Sequence, residues 1–465
     1  MRRFLVCTTL LLAGCAGEKA PVPLEAAVTT PAAWRSAAVT RDASVDAAWW
    51  RSFDDPFLST VVETALQNNV DIAIAVSHVA EARADFQLAS AQLMPSVAAV
   101  GGGERERDVN PGFGVPELQT EGGVQVEVSY DLDLFGRLKD SSAAARANLL
   151  ATEAARDNVR LAVAASAASG YITLCSLDAR LGVLQDTLRT REDELHVARR
   201  LAQTGYSSQL DLAQAQAAYE ETRQLIPATI LALSKQEDGL SLLLGENPRA
   251  IERGKDFDKL AAPSVPVFVP ASLLRRRPDI ASAEQELAAT DHELDVSRDD
   301  YMPDISLAAS GGFVGSTLVP ASPVALWSLG GSILAPLFSG GRLDAQQDAA
   351  TARRDEAAFA YRKSALNAFQ EVEDAMASVQ RLGEQEDTLV AERDALDHAF
   401  TLARNRYRAG YSPYIDQLDA QRGLLSAQLS LVQAHTDRLT AIVQLYKSLG
   451  GGWSPPTAEA KQAAM

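Results

Sequence analysis

Residues 124–134 read VQVEVSYDLDL, and polar and apolar positions alternate there without a break. Val124, Val126, Val128, Tyr130, Leu132 and Leu134 fall on one face. Gln125, Glu127, Ser129, Asp131 and Asp133 fall on the other. Period two over about 11 residues predicts a strand with one apolar and one polar face. Length and alternation match a membrane-spanning strand between lipid and a lumen; a soluble sheet packed on one face carries the same signal. A partner around 95–108 predicts a first hairpin, about 95–134. Residues 303–317 and 325–337 predict a second, about 303–337, with Trp327 as an interfacial aromatic.

Between the hairpins the period changes. Residues 137–204 contain no proline, with Gly170 and Gly182 alone among strong helix formers. Residues 343–412 repeat this, with Gly383 and Gly410. A run of about 66 helical residues reaches about 100 Å, against a usual helix of about 12 residues. Gly205 and Gly410 are placed to stop these runs. Ser207 and Ser412 are then expected as N-caps, Pro413 as a first helical residue, and returning helices over 211–245 and 414–449. Pro227 should kink the first of these. Twelve of the 26 residues from Ala143 to Ala168 are Ala, which favours close side-by-side helices.

The chain is written twice. TGYSSQLDLAQAQ at 204–216 returns as AGYSPYIDQLDAQ at 409–421. VDIA at 70–73, LMPSV at 93–97 and DLFGRL at 133–138 return as PDIA at 278–281, YMPDI at 301–305 and PLFSGGRL at 336–343. Each half is therefore a helix, a β-hairpin and a long helical hairpin with the repeated motif at its tip. The expected division is a leader at 1–14, an N-terminal tether at 15–69, and a first repeat at 70–245. A linker at 246–270, a second repeat at 271–449 and a disordered tail at 450–465 complete it.

The N-terminus, MRRFLVCTTLLLAGCAGEKA, joins two Arg to an apolar run too short to span a bilayer. It has the layout of an export signal. LLAGC looks like a lipobox, with Cys15 as the lipidated N-terminus of the mature chain and Ala16 favouring the outer membrane. The net charge is −18, and −20 once Arg2 and Arg3 leave, which repels nucleic acid. Cys175 is then alone and reads as a buried, inert thiol. The five His are scattered, and no phosphate loop or Gly-x-Ser-x-Gly elbow is present, so enzyme chemistry is not expected.

Four strands cannot close a barrel, and an open edge in lipid leaves unpaired backbone groups. Either the strands stay out of the membrane or several chains share one barrel. Three chains would give 12 strands.

WWRSFDDPFLSTVVETALQNNVDI at 49–72, YDLDLFGRL at 130–138, RRRPDI at 275–280 and PLFSGGRL at 336–343 resemble signatures of the outer-membrane factor family. The likeness is to TolC-like efflux channels, and within them the NodT-type lipoproteins. It implies an α+β, mostly α fold: a trimeric 12-stranded transmembrane β-barrel, four strands per chain, continued by a long periplasmic α-helical barrel, with 15–69 and 246–270 as equatorial segments. It also implies a homotrimer in the outer membrane that docks on a periplasmic adaptor and an inner-membrane pump, resembling resistance-nodulation-division partners. No cofactor is implied beyond the lipid on Cys15. A type I secretion conduit, or less closely an adaptor lipoprotein, is the alternative.

Asp211 and its counterpart Asp416 fall in the first turn of a returning helix, where a carboxylate caps free N–H groups. Asp419 has Gln214 as counterpart and lies three residues from Asp416, on the same helical face. YIDQLDAQ resembles the family segment whose paired acids line the closed entrance, so Asp416 and Asp419 are the expected periplasmic gate. Gly205, Ser207, Asp211, Gly410 and Ser412 are the expected adaptor-contact tips.

Overall fold

The computed structural model of the chain describes residues 21–35, 45–109, 114, 116–254, 257–317 and 323–455. The leader and Cys15 lie outside the described residues.

In chain order the main elements begin with helices α1, Pro56–Asn68, and α2, Val70–Ala91, and strands β1, Ser96–Val109, and β2, Pro116–Asp131. Helices α3, Arg137–Gln203, α4, Gln209–Arg223, and α5, Leu225–Leu243, complete the first half. The second half has α6, Pro278–Asp299, β3, Asp304–Ser316, β4, Val324–Leu334, α7, Arg342–Arg408, and α8, Tyr414–Ser448. The two proline-free runs become helices of 67 residues each. Asp133 starts the first of them, accepting the backbone N–H groups of Gly136, Leu138 and Lys139 at 2.9–3.2 Å. The proline effect is stronger than a kink: Gln224 interrupts the returning helix between α4 and α5. Pro227 lacks the N–H that would bond the Arg223 carbonyl and its ring crowds that carbonyl, so the helix is reset there.

Two compact units form, and each draws on both repeats. Among the described residues, the first takes 21–27, 78–153 and 282–363, and the second takes 28–77, 154–281 and 364–455.

The first unit is built on one antiparallel sheet in the order β1-β2-β3-β4. Its register keeps the faces unmixed. Val97, Val128, Ala309 and Leu329 form one cross-sheet row, and Ala99, Val126, Gly311 and Trp327 the next. On the opposite face Ala98, Glu127, Ser310 and Ser328 share a row. Hydroxyl pairs tie that polar face together: Ser96 with Ser129, Ser306 with Ser332 and Ser310 with Ser328, at 2.7–2.8 Å. Among the described residues nothing covers the apolar face, and Trp327 is 83% exposed. Below the sheet, Ala144, Ala147 and Ala151 make a buried small-residue stripe on α3. Ser282 of α6 bonds the Ala151 carbonyl at 3.0 Å, a helix–helix approach that larger side chains would prevent.

The second unit has an aromatic core. Trp49 stacks on Tyr446 at 5.1 Å, and Phe53 and Trp50 meet Trp49 edge-on. Asp55 caps α1 through the N–H groups of Phe57 and Leu58 and accepts the Tyr171 hydroxyl at 3.2 Å. Arg277 bonds Asp279, Glu371 and the Ser448 carbonyl, which accounts for the charged start of RRRPDI. Cys175 is buried, and burial pushes its thiol up to about 12. The expected disorder from residue 450 onward is corrected for its first residues. Three glycines with positive φ turn the chain, and the Trp453 indole donates to Asp157 at 2.9 Å.

Strand packing makes a sharp test of the register. A side chain at Gly312 would strike the Val124 carbonyl and the Gln125 backbone across the β2–β3 ladder, whereas Gly311 faces open space. Gly312→Val should abolish heat-resistant oligomers on gels, while Gly311→Val should retain them. Equal behaviour of the two variants would refute this register.

Candidate functional site

The hairpin tips start from one turn used twice. After α3, the Tyr206 N–H reaches the Leu201 carbonyl and Gly205 reaches Ala202; after α7, Tyr411 reaches Arg406 and Gly410 reaches Tyr407. Both pairs are the Schellman arrangement, which needs a left-handed residue, and Gly205 and Gly410 have φ of +76° and +77°.

Beyond the glycines the tips diverge. In the first, Ser208 rather than Ser207 is the N-cap, in a reciprocal capping box with Asp211. Ser207 donates its hydroxyl to the same carboxylate at 2.7 Å. In the second, Pro413 is the N-cap instead of the first helical residue, and no side chain caps the helix. A proline one residue early moves the start of α8, and Ser412 is left with a buried hydroxyl lacking a hydrogen-bond partner among the described residues. Capping was expected to occupy both first-turn acids, and it occupies Asp211 alone. Asp416 and Asp419 are both exposed, and among the described residues neither carboxylate has a hydrogen bond or ion pair.

An apolar cluster holds the second tip against the first. Tyr414 and Leu418 of α8 pack with Leu195 and Ala198 of α3 and with Ala215 and Ala218 of α4. Beside it lies a buried polar seam. Gln417 donates to Glu194 at 2.6 Å, and Arg191, 1% exposed, donates to the Ala218 carbonyl and the Thr222 hydroxyl. Burial raises the Glu194 carboxyl above its usual range against the pull of Gln417, Gln421 and Arg191, and burial lowers Arg191. The helix face carrying Gln417 and Leu418 is therefore committed to packing, and Asp416 and Asp419 are turned to solvent. Tyr206 and Tyr411, 85% and 80% exposed, were missed in the sequence, although Gly-Tyr-Ser recurs in both halves.

In the first unit, Asp131, Asp133, Arg137, Asp299, Asp304 and Arg342 help line a cleft of about 450 Å³. Asp140, His292 and Asp295 gather beside it, with ligand atoms within 4.8 Å of one another. The His292 ring pairs with Asp140 at 2.9 Å, and Arg298 donates to Asp295 at 3.2 Å. The scattered histidines gave no hint of this group, because 152 residues separate the paired side chains.

The arrangement is a polar sheet face leading into an acidic cleft in one unit, and, in the other, two turns of which the second carries exposed, uncapped acids. No nucleophile, base and oxyanion donors converge among the described residues. The profile of the outer membrane efflux protein family matches residues 61–246 and 269–451, one match to each repeat. The chain belongs to the outer membrane efflux protein family.

The toluene efflux pump outer membrane protein TtgC of Pseudomonas putida is 32% identical over 480 residues, 99% of this chain and 97% of that protein. The pyoverdine export outer membrane protein OpmQ of Pseudomonas aeruginosa is 31% identical over 458 residues, 97% and 96% of the two chains. The solved outer-membrane channel OprN superposes with a TM-score of 0.86 at 27% identity, covering 94% of this chain and 99% of its own. This efflux protein is thus an outer-membrane channel that extends into the periplasm, and not an enzyme. Its four strands and long helices are those of trimeric channels that work with an adaptor and an inner-membrane pump.

Burial and the neighbouring Asp140, Asp295 and Asp133 carboxylates push the Asp299 carboxyl up to about 6, against an ordinary value of about 4. The folded channel holds that proton more tightly than the unfolded chain. Stability from this group is full below about pH 4 and is lost as pH rises through about 6. Asp299→Asn should raise the Tm above about pH 6 and leave it unchanged below about pH 4. A Tm gain of the same size in acid and in mild alkali would exclude this coupling.

Proposed function

We propose that this channel is the exit duct for small molecules in a resistance-nodulation-division-type efflux assembly, closed at its periplasmic end by Asp416 and Asp419. The observation that carries the gate is the asymmetry of the tips: Asp211 is consumed by a capping box, whereas Asp416 and Asp419 are exposed and unpaired among the described residues. Three chains bring six such carboxylates together at the entrance. Rings of Asp favour cations and hold hydrated anions back. The pump type rests on the resemblance of the Trp49–Asp71 signature to drug and metal efflux channels. Relatives named for toluene and for pyoverdine differ widely in cargo, which supports selection by the pump and not by the duct.

The tips Gly205, Ser207, Asp211, Gly410 and Ser412 are assigned to adaptor docking, mainly as the geometry that presents Tyr206 and Tyr411. Residues 15–69, 246–270 and the end of α8 serve as a belt around the helices, between repeats 70–245 and 271–449. Packing of Trp34 on the Phe268 carbonyl and of Ser52 against Tyr446 supports that belt. Cys15 is assigned as the lipid attachment site.

In planar bilayers, Asp416→Ala/Asp419→Ala channels should conduct roughly twofold more or better and lose cation preference. Parent-like conductance and ion selectivity would remove both acids from the gate. Labelled palmitate fed to cells should mark the wild-type chain and not Cys15→Ala; label on both, or on neither, would refute the lipid assignment.

A further inference from the structure

The charges of the strands are sorted by sign. On the polar face stand Glu104, Glu121, Glu127, Asp131 and Asp304. Among the described side chains of the apolar face, the only charged residues are Arg105 and Arg107. Arg105 pairs across with Thr120 and Arg107 with Leu118, in line with Val97, Val124 and Val126. Because neighbours on a strand point to opposite faces, Glu104 and Glu106 do not neutralise them. Both arginines are exposed, and among the described residues neither has a hydrogen-bond or ion-pair partner.

Their height follows from the register. Tyr130, next to Leu307, is taken as the girdle aromatic at the near edge of the lipid-facing band, and Thr120 lies ten residues along β2 beside Arg105. Ten residues span about 34 Å along a strand, or about 26 Å vertically at a tilt of about 40°. An outer-membrane barrel carries an apolar band about 25 Å tall. Arg105 therefore stands at the far edge of the band, and Arg107 about 5 Å beyond it. The near edge leads into helices that reach into the periplasm, so the far edge is at the outer leaflet. A cation costs little there, compared with the membrane midplane. The headgroups at that depth carry phosphates, which the planar guanidinium fork meets through paired charge-assisted hydrogen bonds.

We infer that Arg105 and Arg107 form a binding site for the phosphates of outer-leaflet glycolipid, present once in each chain of the channel. The acids on the opposite face keep the lumen from competing for the same anion. The site is distinct from the gate and the tips, and it would anchor the barrel at a fixed depth.

Native mass spectrometry of the purified full-length channel tests this with bisphosphorylated lipid A as the probe. Wild type should bind it roughly tenfold more tightly than Arg105→Ala/Arg107→Ala, with Arg105→Lys/Arg107→Lys between. Wild type should also prefer it to dephosphorylated lipid A, a comparison that needs no variant. Equal binding of the two lipids, or equal binding by wild type and the alanine variant, would overturn the inference. Displacement by inorganic phosphate at equal concentration would overturn the lipid assignment and leave a free-phosphate site.

Discussion

The sheet has two edges, and among the described residues nothing covers them. With the order β1-β2-β3-β4, one edge of β1 and one of β4 carry unpaired backbone groups, and the broad face between them is apolar. In water that face is a large exposed patch; in lipid each bare edge group costs several kcal/mol. Only closure with other copies meets both demands at once. The trimer of this channel family completes those hydrogen bonds with twelve strands, and the rest of the chain answers to it.

The long helices obey a related economy. A stripe of Ala on α3 and the hydroxyl of Ser282 let helices approach closely without a thick core, which leaves little apolar material to hold them. Specific polar contacts do part of that task. Arg277 joins Asp279 and Glu371 to the end of α8, and Asp55 links the cap of α1 to Tyr171. Near the tips the balance is looser. Arg191, Glu194, Arg404, Tyr407, Ser412, Gln417 and Gln421 all have buried side-chain atoms without hydrogen-bond partners among the described residues. Buried, incompletely satisfied polar groups weaken a packed seam, so the helices near the tips are less firmly tied than their burial alone suggests.

Periodicity carried most of the architecture. An unbroken alternation at 124–134 and proline-free runs ended by Gly205 and Gly410 are signals a chain cannot blur without losing the element. The departures from the sequence pattern are local and share a cause: each depends on one residue of offset or on a contact from far away. Ser208 displaced Ser207 as cap because its spacing to Asp211 closes the reciprocal bond. Pro413 displaced Ser412 because a fixed φ suits the entry to α8. The Asp140–His292 group and the seating of Trp453 against Asp157 link residues more than a hundred positions apart, and no short-range pattern encodes them.

The duplication explains why the two tips could diverge. A turn copied twice starts with two identical obligations: to stop a long helix and to start a shorter one. Gly205 and Gly410 still discharge the first in the same way. Only the first tip still meets the second with a carboxylate, since Pro413 opens α8 without a side-chain cap. Asp416 therefore has no capping task, and Asp419 stands beside it on an exposed helical face. An acidic pair with no part in holding its own helix can respond to what approaches it without endangering the fold.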